Sequence, residues 1–295
     1  MKENQASSTA FTVSQGMLYT AQQHEYKYLV AEDIVQTSKQ ILMASKEGQK
    51  RLSQLESPIF RFMVPLMEWF LMPGITLHYV LRKRFIEEQT LKAIENGFNQ
   101  IINLGAGFDT LAWRFHKQYP DVNFIEIDHP ATSAEKAKAL LQNEDNSPNF
   151  SMLSVDFKEQ NLRDSLQNCP SFDPKKTSLF ICEGVLMYLA QSEVEQLLAD
   201  IKYLTGKGSS LIFTCLEPMD SPHNNTGKLL KIYLKLKGES LNWSIEHENL
   251  EAFLVDCGYK LEELATSETF KSNYLAPNHK SRLHQGEYIA VAQVL

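Results

Sequence analysis

The chain has 295 residues, 43% of them hydrophobic, enough for one large domain, or a domain with a cap, to bury a substantial core. A net charge of −7 and a pI near 5.7 argue against a nucleic-acid partner, because phosphate binding draws on clustered Lys and Arg. Cys169, Cys182, Cys215 and Cys257 lack metal-ligand spacing and the first ten residues lack the apolar core of a signal peptide, so the expectation is a reduced, cytoplasmic protein with no metal site.

Residues 1–15 are polar and read as a flexible end. Residues 16–44 carry helical periodicity through Leu18, Tyr26, Leu29, Ile34 and Ile41. Residues 58–80 are the most apolar part of the chain, with Phe60, Phe62, Met63, Leu66, Met67, Trp69 and Phe70. A membrane-spanning helix needs about twenty uninterrupted apolar residues, and Arg61, Pro65, Glu68 and Pro73 break this run. Two readings stay open for it: a cap over an apolar substrate pocket, or a helix lying in a membrane interface. Arg82-Lys83-Arg84 then opens a helix that runs to Asn96 and ends at Gly97. Charge runs are ordinarily solvated faces, which is the expectation for Lys83 and Arg84.

From residue 100 the pattern becomes strand, turn, helix. Ile101, Ile102 and Leu104 form a short apolar run ending at Gly105, and a helical pattern starts after Asp109. Gly105 and Gly107 let the backbone take positive φ and approach a ligand, while Asp109 or Thr110 can cap the helix. A dinucleotide-binding loop would carry a third glycine where Thr110 stands, which counts against NAD. A second strand, 123–127, closes on Asp128, where a carboxylate can accept from both ribose hydroxyls of an adenosine-containing ligand. Glu126 competes for that role on the same face; Asp128 lies nearer the carboxyl end of the strand, the lesser alternative for it being a cap on the helix after Pro130.

Helix 130–141 follows with lysines on its outer face, then strand 149–155 and the pair Asp156-Phe157. A central strand, 177–182, leads to Glu183 at its carboxyl end, where open α/β sheets place ligand contacts. Next come helix 191–204, strand 209–216, a long variable segment 217–243 with a helical patch at 228–236, helix 246–257 capped by Ser244 and stopped by Gly258, strand 259–264, a variable loop 266–285 and strand 287–294. This alternation predicts an α/β fold with a doubly wound, mostly parallel sheet over 97–295, preceded by an N-terminal helical cap over 1–96.

Leu104-Gly-Ala-Gly-Phe-Asp-Thr, Phe124-Ile-Glu-Ile-Asp-His-Pro and Cys182-Glu-Gly-Val-Leu-Met-Tyr-Leu together resemble the leucine carboxyl methyltransferase family of S-adenosylmethionine (SAM)-dependent enzymes, in its bacterial, polyketide O-methyltransferase-like branch. The resemblance covers residues 79–203. It implies a Rossmann-like class I methyltransferase fold, a seven-stranded sheet whose final strand is antiparallel, and SAM as cofactor. On that resemblance Arg82 binds the methionine carboxylate, Gly105, Ala106, Gly107 and Asp109 belong to the cradling loop, and Asp128 holds the ribose. Asp156 and Phe157 meet the adenine, Glu183 the ammonium, and Tyr188 lines the substrate entrance. The implied reaction is O-methylation of a carboxylate or hydroxyl on a small or apolar acceptor, a protein carboxylate being less favoured. His24, His78, His223 and His247 are candidate bases by residue type alone. An NAD(P)-dependent oxidoreductase and a non-catalytic SAM-binding protein are the rival readings.

Overall fold

The computed structural model describes residues 6–141, 147–157, 159–227, 230 and 241–295. Seven strands among them form one sheet: β1 (Gln100–Leu104), β2 (Asn123–Asp128), β3 (Phe150–Ser154), β4 (Ser178–Cys182), β5 (Ser210–Leu216), β6 (Tyr259–Ala265) and β7 (Glu287–Val294). Their spatial order is β3-β2-β1-β4-β5-β7-β6. All neighbours are parallel except β7, which runs antiparallel to both β5 and β6. Alternation along the buried strands splits the core in two: Ile102, Leu104, Ile125, Ile127 and Phe180 pack on one face, Ile101, Phe124, Leu179 and Ile181 on the other.

The chain steps from β1 outward to β2 and β3, then returns across β1 to β4. The crevice at this switch in direction is where an open α/β sheet places its ligand. Register completes the arrangement, since Leu104 is paired with Ile127 on one side and Cys182 on the other. Gly105, Asp128 and Glu183, each the next residue along, are thereby brought to one edge.

The N-terminal helices are α1 (Ser8–Ala21), α2 (Glu32–Met43), α3 (Lys46–Glu56), α4 (Pro58–Leu71) and α5 (Ile75–Glu95). Residues 6–15 therefore depart from the expected flexible end. The Ser7 side chain accepts from the Ala10 amide to start α1, which buries Phe11, Met17, Leu18 and Tyr19. Residues 16–44 are broken by a short 3-10 turn, Lys27–Leu29, rather than helical throughout. Arg82 lies in the middle of α5, not at its start.

Pro65 stands inside α4 without ending it. A proline cannot donate to the carbonyl four residues back, and here the Arg61 carbonyl accepts from the Tyr19 hydroxyl at 3.5 Å instead. Glu68 accepts from the Thr76 amide at 3.0 Å and so caps the next helix. No residue of α4 is buried; Phe62 is 74% and Trp69 64% exposed. No single described helix is long and apolar enough to cross a membrane; α4 and α5 pass that test together by length and composition, but with an 83° bend between them.

The helices after β1 are α6 (Leu111–Phe115), α7 (Pro130–Leu140), α8 (Leu162–Gln167), α9 (Gln191–Leu204), α10 (Leu250–Asp256) and α11 (Ser267–Tyr274). The helix expected over 246–257 is shorter, with Asn249 rather than Ser244 at its N-cap, and the loop expected over 266–285 contains α11. The patch at 228–236 lies outside the described residues apart from Leu230, which is buried.

Candidate active site

The loop after β1 turns on two glycines in the left-handed region, Gly105 at φ 66° and Gly107 at φ 51°. A Cβ on Gly105 would lie 2.3 Å from Val185 Cγ2, and one on Gly107 would lie 3.4 Å from the Cβ of Ala10 on α1. The Gly107 amide donates to Asp128 Oδ2 at 2.6 Å, and the His129 amide to Oδ1 at 2.7 Å. Asp128 is therefore tied to the glycine loop. The cap of α7 is His129, whose Nδ1 accepts from the Ala131 amide. Burial raises the Asp128 carboxyl above its ordinary pKa, against the pull of these two amides.

The choice between the two acids of β2 follows from their partners. Glu126 is 2% exposed and paired with Lys136 of α7 at 2.6 Å, away from the cavity, whereas Asp128 lines it. Lys136, expected on an outer face, is itself 1% exposed and serves as the counter-ion of Glu126. Periodicity could not reveal this, because a lysine that reaches inward to a buried acid has the same spacing as one that reaches out.

On the other side of the loop, α5 carries three side chains into a buried charge cluster. Arg82 places Nη2 2.7 Å from Glu183 Oε1 and Nη1 2.7 Å from Glu287 Oε2. One turn earlier, His78 Nε2 lies 2.7 Å from the same Glu287 oxygen. Lys83 reaches Glu183 Oε2 at 2.7 Å and also pairs with Asp109. Thr110 is the N-cap of the following helix, and Asp109 Oδ1 accepts from the amide of its first residue, Leu111, at 2.6 Å. Burial alone would raise the Asp109 carboxyl, but the neighbouring cations, Lys83 first, hold it down at about 2. Glu287 is likewise held below the usual carboxylate range: burial opposes this, and Arg82 and His78 overcome it.

Lys83 is thus no solvated face; it bridges two carboxylates. Arg84 does keep the expected surface position, pairing with Glu88 at 3.4 Å. Glu287 was not legible as a partner of Arg82, and His78, a candidate base by residue type alone, is instead paired with that buried acid. The first residue of the final strand carries no local motif, and its place beside Arg82 follows from the antiparallel insertion of β7 between β5 and β6.

Between the glycine loop and the Arg82–Lys83 pair lies a cavity of about 720 Å³, within the roughly 300–1,000 Å³ typical of small-molecule sites, with Glu287 and His78 outside its lining. Arg82, Gly105, Ala106, Gly107, Asp109, Asp128, Asp156, Phe157, Glu183 and Tyr188 all line it, together with Lys83. Asp156 Oδ2 stands 3.6 Å from His129 Nε2, and it does not cap a helix, since α8 begins later with Asn161 as its cap. Phe157 leaves half of its ring exposed at the rim. Tyr188 ends a 3-10 turn, Leu186–Tyr188, with its hydroxyl 3.5 Å from Thr9 Oγ1. Helix α1, read in part as a flexible end, supplies Thr9, Ala10, Val13 and Met17 to the wall. No residue of α4 does, so the apolar run at 58–71 is not a lid over this cavity.

The family model for leucine carboxyl methyltransferase matches residues 20–202. A protein of Parafrankia sp. (strain EAN1pec), provisionally named an S-adenosyl-L-methionine-dependent methyltransferase, is 31% identical over 137 residues, which is 45% of this chain and 43% of that protein. The chain therefore matches less than half the length of that relative. A protein of Mycolicibacterium smegmatis (strain ATCC 700084 / mc(2)155) with the same provisional name is 24% identical over 223 residues, 73% of this chain and 72% of the other. A crystal structure of a protein from Thermobifida fusca YX, provisionally called a methyltransferase, matches in fold with a TM-score of 0.59 at 16% identity, covering 87% of this chain and 92% of that one. With the basic pair of α5, the glycine loop and both acidic strand ends inside a match to more than half of the chain, the protein belongs to the leucine carboxyl methyltransferase family.

Proposed function

We propose that the protein is a SAM-dependent methyltransferase acting on an oxygen of a small, largely apolar acceptor, a carboxylate ahead of a hydroxyl. Its main support is the charge layout of the cavity. Among the residues lining it the cations are Arg82, Lys83 and Arg114, while the carboxylates include Asp109, Asp128, Asp156 and Glu183, so carboxylates outnumber cations. A surplus of negative charge suits a ligand that carries both a sulfonium and an ammonium. The glycine cradle fits such a cofactor too, because the backbone at Gly105 and Gly107 is bare where any side chain would meet Val185 or Ala10.

When bound, SAM supplies a methyl group already activated by its sulfonium. The protein's own contribution is alignment and exclusion of water. In this reading Asp128 accepts from the ribose, Glu183 from the ammonium, and Asp156 with Phe157 receives the adenine. Arg82 has both terminal nitrogens on carboxylates and acts first by fixing Glu183. Of the N-terminal helices, α1, α2 and α5 supply wall to the cavity and act as its cap.

The choice of acceptor follows from the bases at hand. Among the described lining residues the one histidine is His129, occupied by the Ala131 amide and by Asp156. A carboxylate is already ionised near neutral pH and needs no base, whereas a phenol with a pKa of about 10 would profit from one. Methyl transfer from labelled SAM to a panel of small apolar carboxylic acids and phenols tests the reading. Carboxylic acids should accept label and phenols should lag. Phenols accepting label faster than every acid would overturn the preference, and no transfer to any acceptor despite tight SAM binding would favour the non-catalytic alternative.

A further inference from the structure

Outside the cavity, a second cluster of chemically active side chains forms where the chain leaves β5. Glu217, the residue after that strand, is 3% exposed, and its Oε1 lies 2.5 Å from His247 Nδ1. His223 stacks edge-on against His247 with ring centroids 4.7 Å apart, and its Nε2 is 3.0 Å from Glu248 Oε1. One ligand atom from each of His223, His247 and Glu248 lies within 4.8 Å of the other two. Twenty-odd residues separate His223 from His247, so no spacing motif announces the group.

We propose that His223, His247 and Glu248 bind a divalent transition metal of the zinc class, with Glu217 as the positioning residue behind His247. Three features support this. Two imidazoles and one carboxylate suit zinc and its neighbours, whereas magnesium and calcium prefer all-oxygen sites. The 3.0 Å between His223 Nε2 and Glu248 Oε1 is close to the edge of a tetrahedron with bonds of about 2.0–2.1 Å, so these two donors need only small movements to share an ion. The buried carboxylate on His247 Nδ1 favours the tautomer that leaves the lone pair on Nε2, as carboxylate partners of metal-bound histidines do. Three protein ligands would leave the fourth position to water.

The site joins two parts of the chain. Residues 221–224 are held to Glu217 by the Ser221 hydroxyl at 3.3 Å and by Asn224 Nδ2 on the Glu217 carbonyl at 3.0 Å, and His247 and Glu248 precede α10. An ion here ties the root of the variable 217–243 segment to the turn before α10, without entering the methyl-transfer cavity.

Calorimetric titration of the chelator-treated full chain with ZnCl2 tests the proposal, with MgCl2 as control and CoCl2 added to report the ligand field. One zinc per chain is expected, with no comparable magnesium binding. The exposed variants His223→Ala and Glu248→Gln should each lose at least about tenfold in zinc affinity, and Glu217→Gln about 10–100-fold while keeping the cobalt ligand-field bands. Absence of saturable zinc binding, zinc affinity unchanged in His223→Ala, or a thiolate-to-cobalt charge-transfer band pointing to cysteine would each overturn it.

Discussion

Lys83 sets the charge balance of the candidate active site, because it is the shared partner of Asp109 and Glu183. Lys83→Met would leave both acids buried beside one cation fewer, and breaking such a pair costs about 3 kcal/mol. The Asp109 carboxyl sits at about 2 in the fold against 3.8 ordinarily. A lowered acid gives stability that is complete above 3.8 and lost as pH falls towards 2. Without Lys83 that contribution shrinks, so acid unfolding followed by circular dichroism should move to higher pH in Lys83→Met. An unchanged acid midpoint would mean the lysine is only a surface group. Asp128→Ala removes a fixed carboxylate from the cavity and should weaken SAM binding roughly tenfold to a hundredfold, whereas Glu126→Gln should act on stability through Lys136 and leave SAM affinity within about twofold. Equal losses of SAM affinity in the two variants, measured by calorimetry, would return the ribose role to an open choice.

Helices differ sharply in how much of their role can be read from the chain. The β-α alternation after residue 100 was legible because buried parallel strands are short apolar runs and their punctuation is glycine or an acid; Gly105, Asp128 and Glu183 all stand at such ends. The first two helices were harder. Ser7 to Gln15 reads as polar, yet Ser14 and Gln15 are buried, and Gln15 spends its amide on the Arg51 carbonyl at 2.9 Å. Hydrophobic periodicity cannot register a helix face that is buried through hydrogen bonds. Residues 58–71 mislead in the opposite direction: an apolar run has the same pattern whether it faces a cavity or solvent, and here it is exposed. These placements give opposite expectations for two substitutions. Ala10→Trp on α1 fills space against the glycine loop and should reduce SAM affinity by at least tenfold. Trp69→Ser on α4 should leave that affinity unchanged and stability within about 0.5 kcal/mol. A SAM titration in which Trp69→Ser loses affinity and Ala10→Trp does not would show that the wall has been assigned to the wrong helix.

For the whole molecule, the closing strand β7 links the cavity to stability. Its first residue, Glu287, anchors Arg82 and His78, and the adjoining His284 is buried with its ring 5.2 Å from that of His78. Burial, then the nearby His78 and Arg82, lower the His284 pKa from 6.5 to about 3. A lowered base is neutral in the fold but takes up a proton when unfolded. Above 6.5 the group is neutral in both states and costs nothing, whereas below 6.5 the unfolded chain takes up the proton and stability falls as pH drops towards 3, with a slope that approaches about 1.4 kcal/mol per unit. Thermal melts should show this slope between pH 6.5 and 5 in the wild type and a shallower one in His284→Gln. The central claim concerns the cofactor, and the most direct measurement is calorimetric titration of the wild-type chain with SAM and, separately, with NADH. Saturable SAM binding with one site per chain, and no comparable NADH binding, is the predicted result. Micromolar NADH binding with none for SAM would contradict the account.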